Sequence, residues 1–301
     1  MFSLKNLLYF QAGLGVLANM ILLCFYIFII LGHRPPKPTD LISCQLTFVH
    51  IMMLLTGGDI WITDLFETLS IDNDFKCKVT FYISRLMRSL SIRITCLLSV
   101  FQAVTISVST SLLAKFKQNF KKYMIYAFLC MWSFNLSFYS NQIFYVVAYT
   151  NMSEANQMKV TKYCSLLPMK YTIRGLILMV EISRDVFLVG IMITTSICIV
   201  IILFRYQRQC KHLHGITHLR ASPEKRATRT ILLLVGYFFF FFFVVMYWVE
   251  FIMSMTSILL WMYDPTNLTF QKFVMNAYPT ITPLVQISFD NRIITMLKNR
   301  Q

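Results

Sequence analysis

Phe81-Tyr82-Ile83-Ser84-Arg85-Leu86-Met87-Arg88-Ser89-Leu90-Ser91-Ile92-Arg93-Ile94-Thr95-Cys96-Leu97-Leu98-Ser99-Val100 is the stretch on which the fold turns. It opens a run from Phe81 to Leu113 long enough to cross a bilayer, but Arg85, Arg88 and Arg93 fall in its first half. Hydropathy alone would discard it. Charge placement keeps it, once the remaining apolar runs are set beside it. These lie at about 7–31, 41–62, 123–149, 186–204, 230–249 and 273–289, each close to the ~20 residues a helix needs to span roughly 30 Å of hydrocarbon. With the third run counted, segments 32–40, 114–122, 205–229 and 290–301 share one side, with sixteen Lys and Arg residues opposed only by Asp40, Glu224 and Asp290. The alternate segments are nearly balanced, their nine basic residues offset by Asp64, Glu67, Asp72, Asp74, Glu154, Glu181, Asp185 and Asp264. Without the third span, Arg34 and the basic 205–229 segment would lie on opposite sides, against the bias of cytosolic loops toward Lys and Arg. Seven spans follow, with the amino terminus outside and the carboxyl terminus in the cytosol.

Composition agrees. Of 301 residues 57% are hydrophobic and 14% charged, whereas soluble domains are about a quarter charged. The expectation is an all-α, seven-transmembrane helix bundle occupying 1–301 as one membrane domain. The formal charge of +15 follows from topology; no zinc-finger or RNA-module signature accompanies it, so nucleic acid is not an expected partner. The first run is about 25 residues long, has no small-x-small cleavage site and ends in Gly32-His33-Arg34, which reads as a retained span rather than a cleaved signal. No repeat relates the two halves, which disfavours the paired construction of many transporters.

Cysteines and sugar sites sort by side. Cys24, Cys44, Cys96, Cys130 and Cys198 lie within spans and Cys210 lies in a cytosolic segment. Cys77 and Cys164 remain on the outer side, where an oxidising exterior allows a disulfide; two free thiols are the alternative. Asn151-Met152-Ser153 and Asn267-Leu268-Thr269 are sequons on that side, while Asn135-Leu136-Ser137 falls inside the fourth span. Cys210-Lys211-His212-Leu213-His214 has too few ligands for a structural zinc site, so no metal or cofactor is expected. A nucleophile elbow, a phosphate loop and His-Glu-x-x-His are all missing, so the chain is not expected to be an enzyme.

Two sets of motifs carry a family resemblance. Gly15-x-x-Ala18-Asn19 is similar to the first-span asparagine motif of G-protein-coupled receptors, and Leu46-Thr47-Phe48-Val49-His50 to their second-span motif, with His50 where aspartate is usual. Phe101, Gln102 and Ala103 stand where Asp-Arg-Tyr is common, and Thr282-Pro283-Leu284-Val285-Gln286 keeps only the proline of Asn-Pro-x-x-Tyr. Longer strings are more specific: 96–107 (Cys-Leu-Leu-Ser-Val-Phe-Gln-Ala-Val-Thr-Ile-Ser), Arg184-Asp185-Val186, 222–232 (Ser-Pro-Glu-Lys-Arg-Ala-Thr-Arg-Thr-Ile-Leu), and 276–287 (Asn-Ala-Tyr-Pro-Thr-Ile-Thr-Pro-Leu-Val-Gln-Ile). By these the chain resembles the vomeronasal type-1 receptors across nearly its whole length. Ser89, where that family commonly has glycine, and Arg93, where a small uncharged residue is expected, depart from it.

The resemblance implies a chemosensory receptor of the plasma membrane that binds a small pheromone or odorant outside and activates a heterotrimeric G protein, of the inhibitory class, by preferring one state of the bundle. Ligand-contact candidates are Arg88, Ser91, Glu181, Asp185, Tyr247 and Glu250, polar groups in the outer halves of the third, fifth and sixth spans. Mutual ion pairing, for example Arg88 with Glu181 or Asp185, is the bland alternative. Arg85, Arg88 and Gln102 fall near one helical face, taken as inward, and Arg93 points away from Gln102. G-protein-facing candidates are Gln102, Lys121, Lys122, Arg226 and Arg229; the same basic residues also suit anionic lipid of the inner leaflet. His50 is expected to be a hydrogen-bonded packing residue, with a proton- or sodium-linked role as the alternative. Asn151 and Asn267 are the expected glycosylation sites. A bitter-taste-like receptor, or a transporter or channel, are the competing functions.

Overall fold

The computed structural model describes residues 4–32, 38–57, 73–107, 112–148, 158–159, 164–166, 171–213 and 265–289. These form six long helices: α1 (Leu4–Leu31), α2 (Pro38–Gly57), α3 (Asn73–Ser107), α4 (Leu112–Ser140), α5 (Tyr171–Leu213) and α6 (Pro265–Phe289). A 3-10 turn (Asn141–Tyr145) and three short strands, β1 (Val146–Ala148), β2 (Met158–Lys159) and β3 (Cys164–Leu166), lie between α4 and α5. The run 230–249, with Tyr247, Glu250, Arg226 and Arg229, lies outside the described residues, as does Asn151.

Packing is inside-out relative to a soluble protein. Phe10, Phe28, Leu31, Tyr126, Met179 and Phe187 are exposed, whereas Asn19, Thr47, His50, Ser91 and Asn135 are buried. Such a distribution suits lipid as solvent, where polar groups find partners only inside the bundle. Among the described residues, stretches of α1, α2, α3 and α5 are long and apolar enough to cross a membrane. The third, arginine-bearing run is one of them.

Helix α3 is the central element, packed on α2, α4 and α5, while α1 closes against α2 and α6. Ile42, Leu46 and Val49 of α2 meet Leu86, Leu90 and Ile94 of α3 and Met124 and Phe128 of α4 in the main apolar core. Gly15 makes the α1 contact possible: a Cβ there would lie 2.7 Å from Thr280 Oγ1 and 2.8 Å from Leu54 Cδ1.

Proline chemistry fixes the α1–α6 seam. Pro283 has no N–H, so the carbonyl of Pro279 lacks its helical donor. The buried Asn19 amide supplies one, donating to Pro279 O at 2.8 Å and to its own Gly15 O at 2.7 Å.

Several element boundaries differ from the expectation, for one reason: hydropathy finds lipid contact, not helix. Helix α3 starts at Asn73 rather than 81, its first turns carrying Asp74 and Lys78 as an i,i+4 ion pair. An acidic residue there also complements the helix dipole. The segment 114–122, expected as a loop, is helical as the first part of α4, and α5 runs from 171 to 213 rather than 186–204. Conversely, the expected span to 149 stops at Ser140. Val146-Val147-Ala148 is apolar enough to continue a span but pairs antiparallel with β3 instead, Val146 opposite Leu166 and Ala148 opposite Cys164.

Candidate functional site

One end of the bundle is capped by this sheet, ordered β1-β3-β2. Cys77 of α3 and Cys164 of β3 are joined in a disulfide, with their Cα atoms 5.6 Å apart. The Ala148 N–H donates to Asp74 Oδ1 at 2.9 Å, so a covalent bond and a hydrogen bond both hold the sheet to the first turns of α3. Cys77, Val146 and Cys164 are buried together against Phe81.

Below the cap the neighbouring helices are joined by charge. Arg85 Nη1 of α3 donates to Glu181 Oε2 of α5 at 3.2 Å, and Arg85 lies over the Phe81 ring. Arg184 of α5 donates from Nε to Asp185 Oδ1 at 2.7 Å and from Nη1 to the Tyr139 hydroxyl of α4 at 2.9 Å. The middle of the bundle is joined differently, by neutral groups. His50 Nε2 of α2 and Ser91 Oγ of α3 are 3.2 Å apart, and the His50 ring meets Tyr278 of α6 edge-to-face at 5.1 Å. The Tyr278 hydroxyl is 2.8 Å from Thr95 Oγ1, which also bonds back to Ser91 O. Three helices are thereby linked through one buried polar ladder. Beside it Ser89 donates to Asn135 Oδ1 at 2.7 Å, and Asn135 donates to Met131 O.

Sequence comparison decides what this architecture belongs to. Residues 2–299 match the model of the vomeronasal organ pheromone receptor family, whose members are the type-1 receptors. The chain belongs to that family. Vomeronasal type-1 receptor 90 of Rattus norvegicus is 39% identical over 297 residues, covering 98% of this chain and 94% of the relative. Vomeronasal type-1 receptor 100 of the same species is 34% identical over 299 residues (99% and 89%), and vomeronasal type-1 receptor 45 of Mus musculus 33% over 298 (98% and 91%). As a member of the vomeronasal type-1 family, the chain is a seven-helix, G-protein-coupled chemosensory receptor of a membrane rather than an enzyme.

In this vomeronasal-family receptor the ligand candidates separate by environment. Glu181 pairs with Arg85 and Asp185 with Arg184. Arg88 is half-buried and engaged by interactions of its own. Ser91 is buried and belongs to the neutral ladder. Of the candidates facing the other end, Gln102 is exposed rather than inward, and Lys121 and Lys122 lie on the helical part of α4. Asn267 sits in the first turn of α6.

Sequence reasoning missed Arg184, Tyr139, Thr95 and Tyr278 as site-forming residues. Arg184 and Asp185 are adjacent, and an adjacent pair of opposite charges at the very edge of an apolar run was the signal available. Thr95 and Tyr278 gave none, because a hydroxyl in a span looks the same whether it bonds its own helix or a neighbour.

Proposed function

We propose that this receptor takes a small pheromone or odorant at its disulfide end, that this end and Met1 face outside the cell, and that the opposite end engages an inhibitory-class G protein at the plasma membrane. The observation that carries the proposal is the distribution of charge pairs: Arg85–Glu181 and Arg184–Asp185 join residues of α3 and α5 on the side of the disulfide-tied cap, while α3 meets α2 and α6 further on through neutral hydrogen bonds. Charge inside a membrane bundle is costly and marks functional positions. A ligand that re-pairs Arg88, Glu181 or Asp185 alters the links between α3 and α5, and Ser91 couples that change to α2 and α6 through His50, Thr95 and Tyr278. It shifts the equilibrium only by its difference in affinity for the two states. Tyr247 and Glu250 complete the ligand set from the sixth span. Asn151 and Asn267 carry sugar on the outer side, and Gln102, Lys121, Lys122, Arg226 and Arg229 face the G protein and anionic inner-leaflet lipid.

The test is expression of the full chain with a G-protein dissociation reporter, challenged with panels of volatiles and sulfated steroids. A response sensitive to pertussis toxin, lost in Arg88→Ala at unchanged surface level, supports the proposal. Ion flux without G-protein dissociation overturns it, and unchanged potency in Arg88→Ala removes that residue from the site.

A further inference from the structure

Arg93 is the residue that the receptor function does not absorb. It is an additional positive charge on α3, and its guanidinium lies over the ring of Phe134 on α4, 4.6 Å from the centroid. Its Nε is buried without a hydrogen-bond partner among the described residues. Phe134 stacks on Phe138 one helical turn further along, centroids 6.1 Å apart at 10°, and Arg184 from α5 lies over Phe138 at 5.7 Å. Two stacked rings on α4 are therefore flanked by two guanidiniums from two other helices. Asp185 pairs directly with Arg184, while Arg184, Asp185 and Tyr139 all lie within electrostatic range of Arg93. Arg93, Arg184 and Asp185 together carry one positive charge more than the carboxylate neutralises.

This cluster opens toward lipid. Phe134 is 55% exposed, so the ring that Arg93 covers also presents a face to the outside of the bundle. α4 ends at Ser140, six residues past Phe134, so at ~1.5 Å per residue the Phe134–Arg93 contact sits about 9 Å inside the helix end. A strip of two stacked rings flanked by two guanidiniums suits a small anionic head on a single hydrocarbon chain rather than the bulky head of a two-chain phospholipid. A carboxylate matches the planar donor fork of arginine, and a weak acid reaches such depth in its neutral form.

We infer that Arg93 and Arg184, over the Phe134–Phe138 strip, form a lipid-facing site between α3, α4 and α5 for the carboxylate of a long-chain fatty acid. The chain lies along the exposed face of Phe134, and the head supplies an acceptor to the Arg93 guanidinium, whose Nη groups are not on the buried side. The site does not depend on G-protein coupling, and its test reads binding alone.

The full-length receptor in nanodiscs of neutral phosphatidylcholine is labelled with a diazirine analogue of palmitate, and the modified peptides are mapped. Labels should fall on α4 near Phe134 and on α5 near Arg184, with excess palmitate competing and hexadecanol not. Arg93→Gln should lower labelling about tenfold, the scale for losing hydrogen bonds to an ionised group, and Arg93→Lys, which keeps the charge but not the fork, should lower it less. Circular dichroism of each variant identifies loss of fold, and mapping on the wild-type chain decides the matter where a variant does not fold. Equal competition by hexadecanol, labelling unchanged in a folded Arg93→Gln, labels spread over all lipid-facing helices, or displacement by phosphatidylglycerol as effective as by palmitate would each overturn the inference.

Discussion

The two halves of α3 hold the bundle together by different chemistry. Near the cap, α3 is tied by a disulfide to β3 and by an ion pair to α5; a few turns on, it is tied to α2 and α6 by neutral hydroxyl and imidazole contacts. Ion pairs can be re-partnered by a charged ligand at modest cost when they are partly solvated, whereas a neutral ladder with His50 and Ser91 buried is satisfied in only a few arrangements. The first half suits recognition and the second suits a bistable link. The contrast can be broken in several places.

The largest effect is expected at the cap. Cys77→Ser or Cys164→Ser removes a cross-link closing 87 residues, about 4 to 5 kcal/mol in the chain-entropy account. Flow cytometry of intact cells should show surface expression nearly abolished in each single variant and no further loss in the double variant. Next is Asn19→Ala, which strands the Pro279 carbonyl in a dry seam. A loss of about 1–3 kcal/mol is expected for an orphaned buried acceptor, read as a lower melting temperature of purified receptor, with Asn19→Asp no rescue because the amide donor is gone.

Smaller, and diagnostic of the contrast, is the Arg85–Glu181 pair. Its side chains are 37% and 12% exposed, so a double-mutant cycle with Arg85→Ala and Glu181→Ala should give a coupling of about 1 kcal/mol or less in stability. The same variants should change ligand potency more than stability. Tyr278→Phe is expected to be the mildest, about 1 kcal/mol, and to move basal G-protein signalling rather than ligand potency. If Tyr278→Phe shifted potency alone, or Arg85→Ala shifted basal signalling alone, the division of labour would be wrong.

The sequence shows most of the fold and part of the site. Membrane residence is legible because lipid imposes length and composition on every span, and the Cys77–Cys164 disulfide because the two fall on one side of the spans so counted. Arg85, Arg88 and Arg93 were visible as anomalies, but the pairing of Arg85 with Glu181 and the seat of Arg93 over Phe134 were not. Which carboxylate meets Arg85 depends on how α3 and α5 pack, and no local spacing encodes that. The helical turns of Asn73–Lys78 and of 114–122 were missed because they are charged. β1 was missed for the opposite reason, since its apolar Val-Val-Ala serves a strand as readily as a span. The role of Asn19 required knowing that Pro279 and Pro283 lie beside it.

Recognition at the disulfide end requires that a ligand meet that end first. The direct measurement places one epitope tag at Met1 and another at Gln301 and stains intact, then permeabilised, cells. The Met1 tag should stain in intact cells and the Gln301 tag only after permeabilisation. Staining of Gln301 in intact cells, or of both tags together, would contradict it.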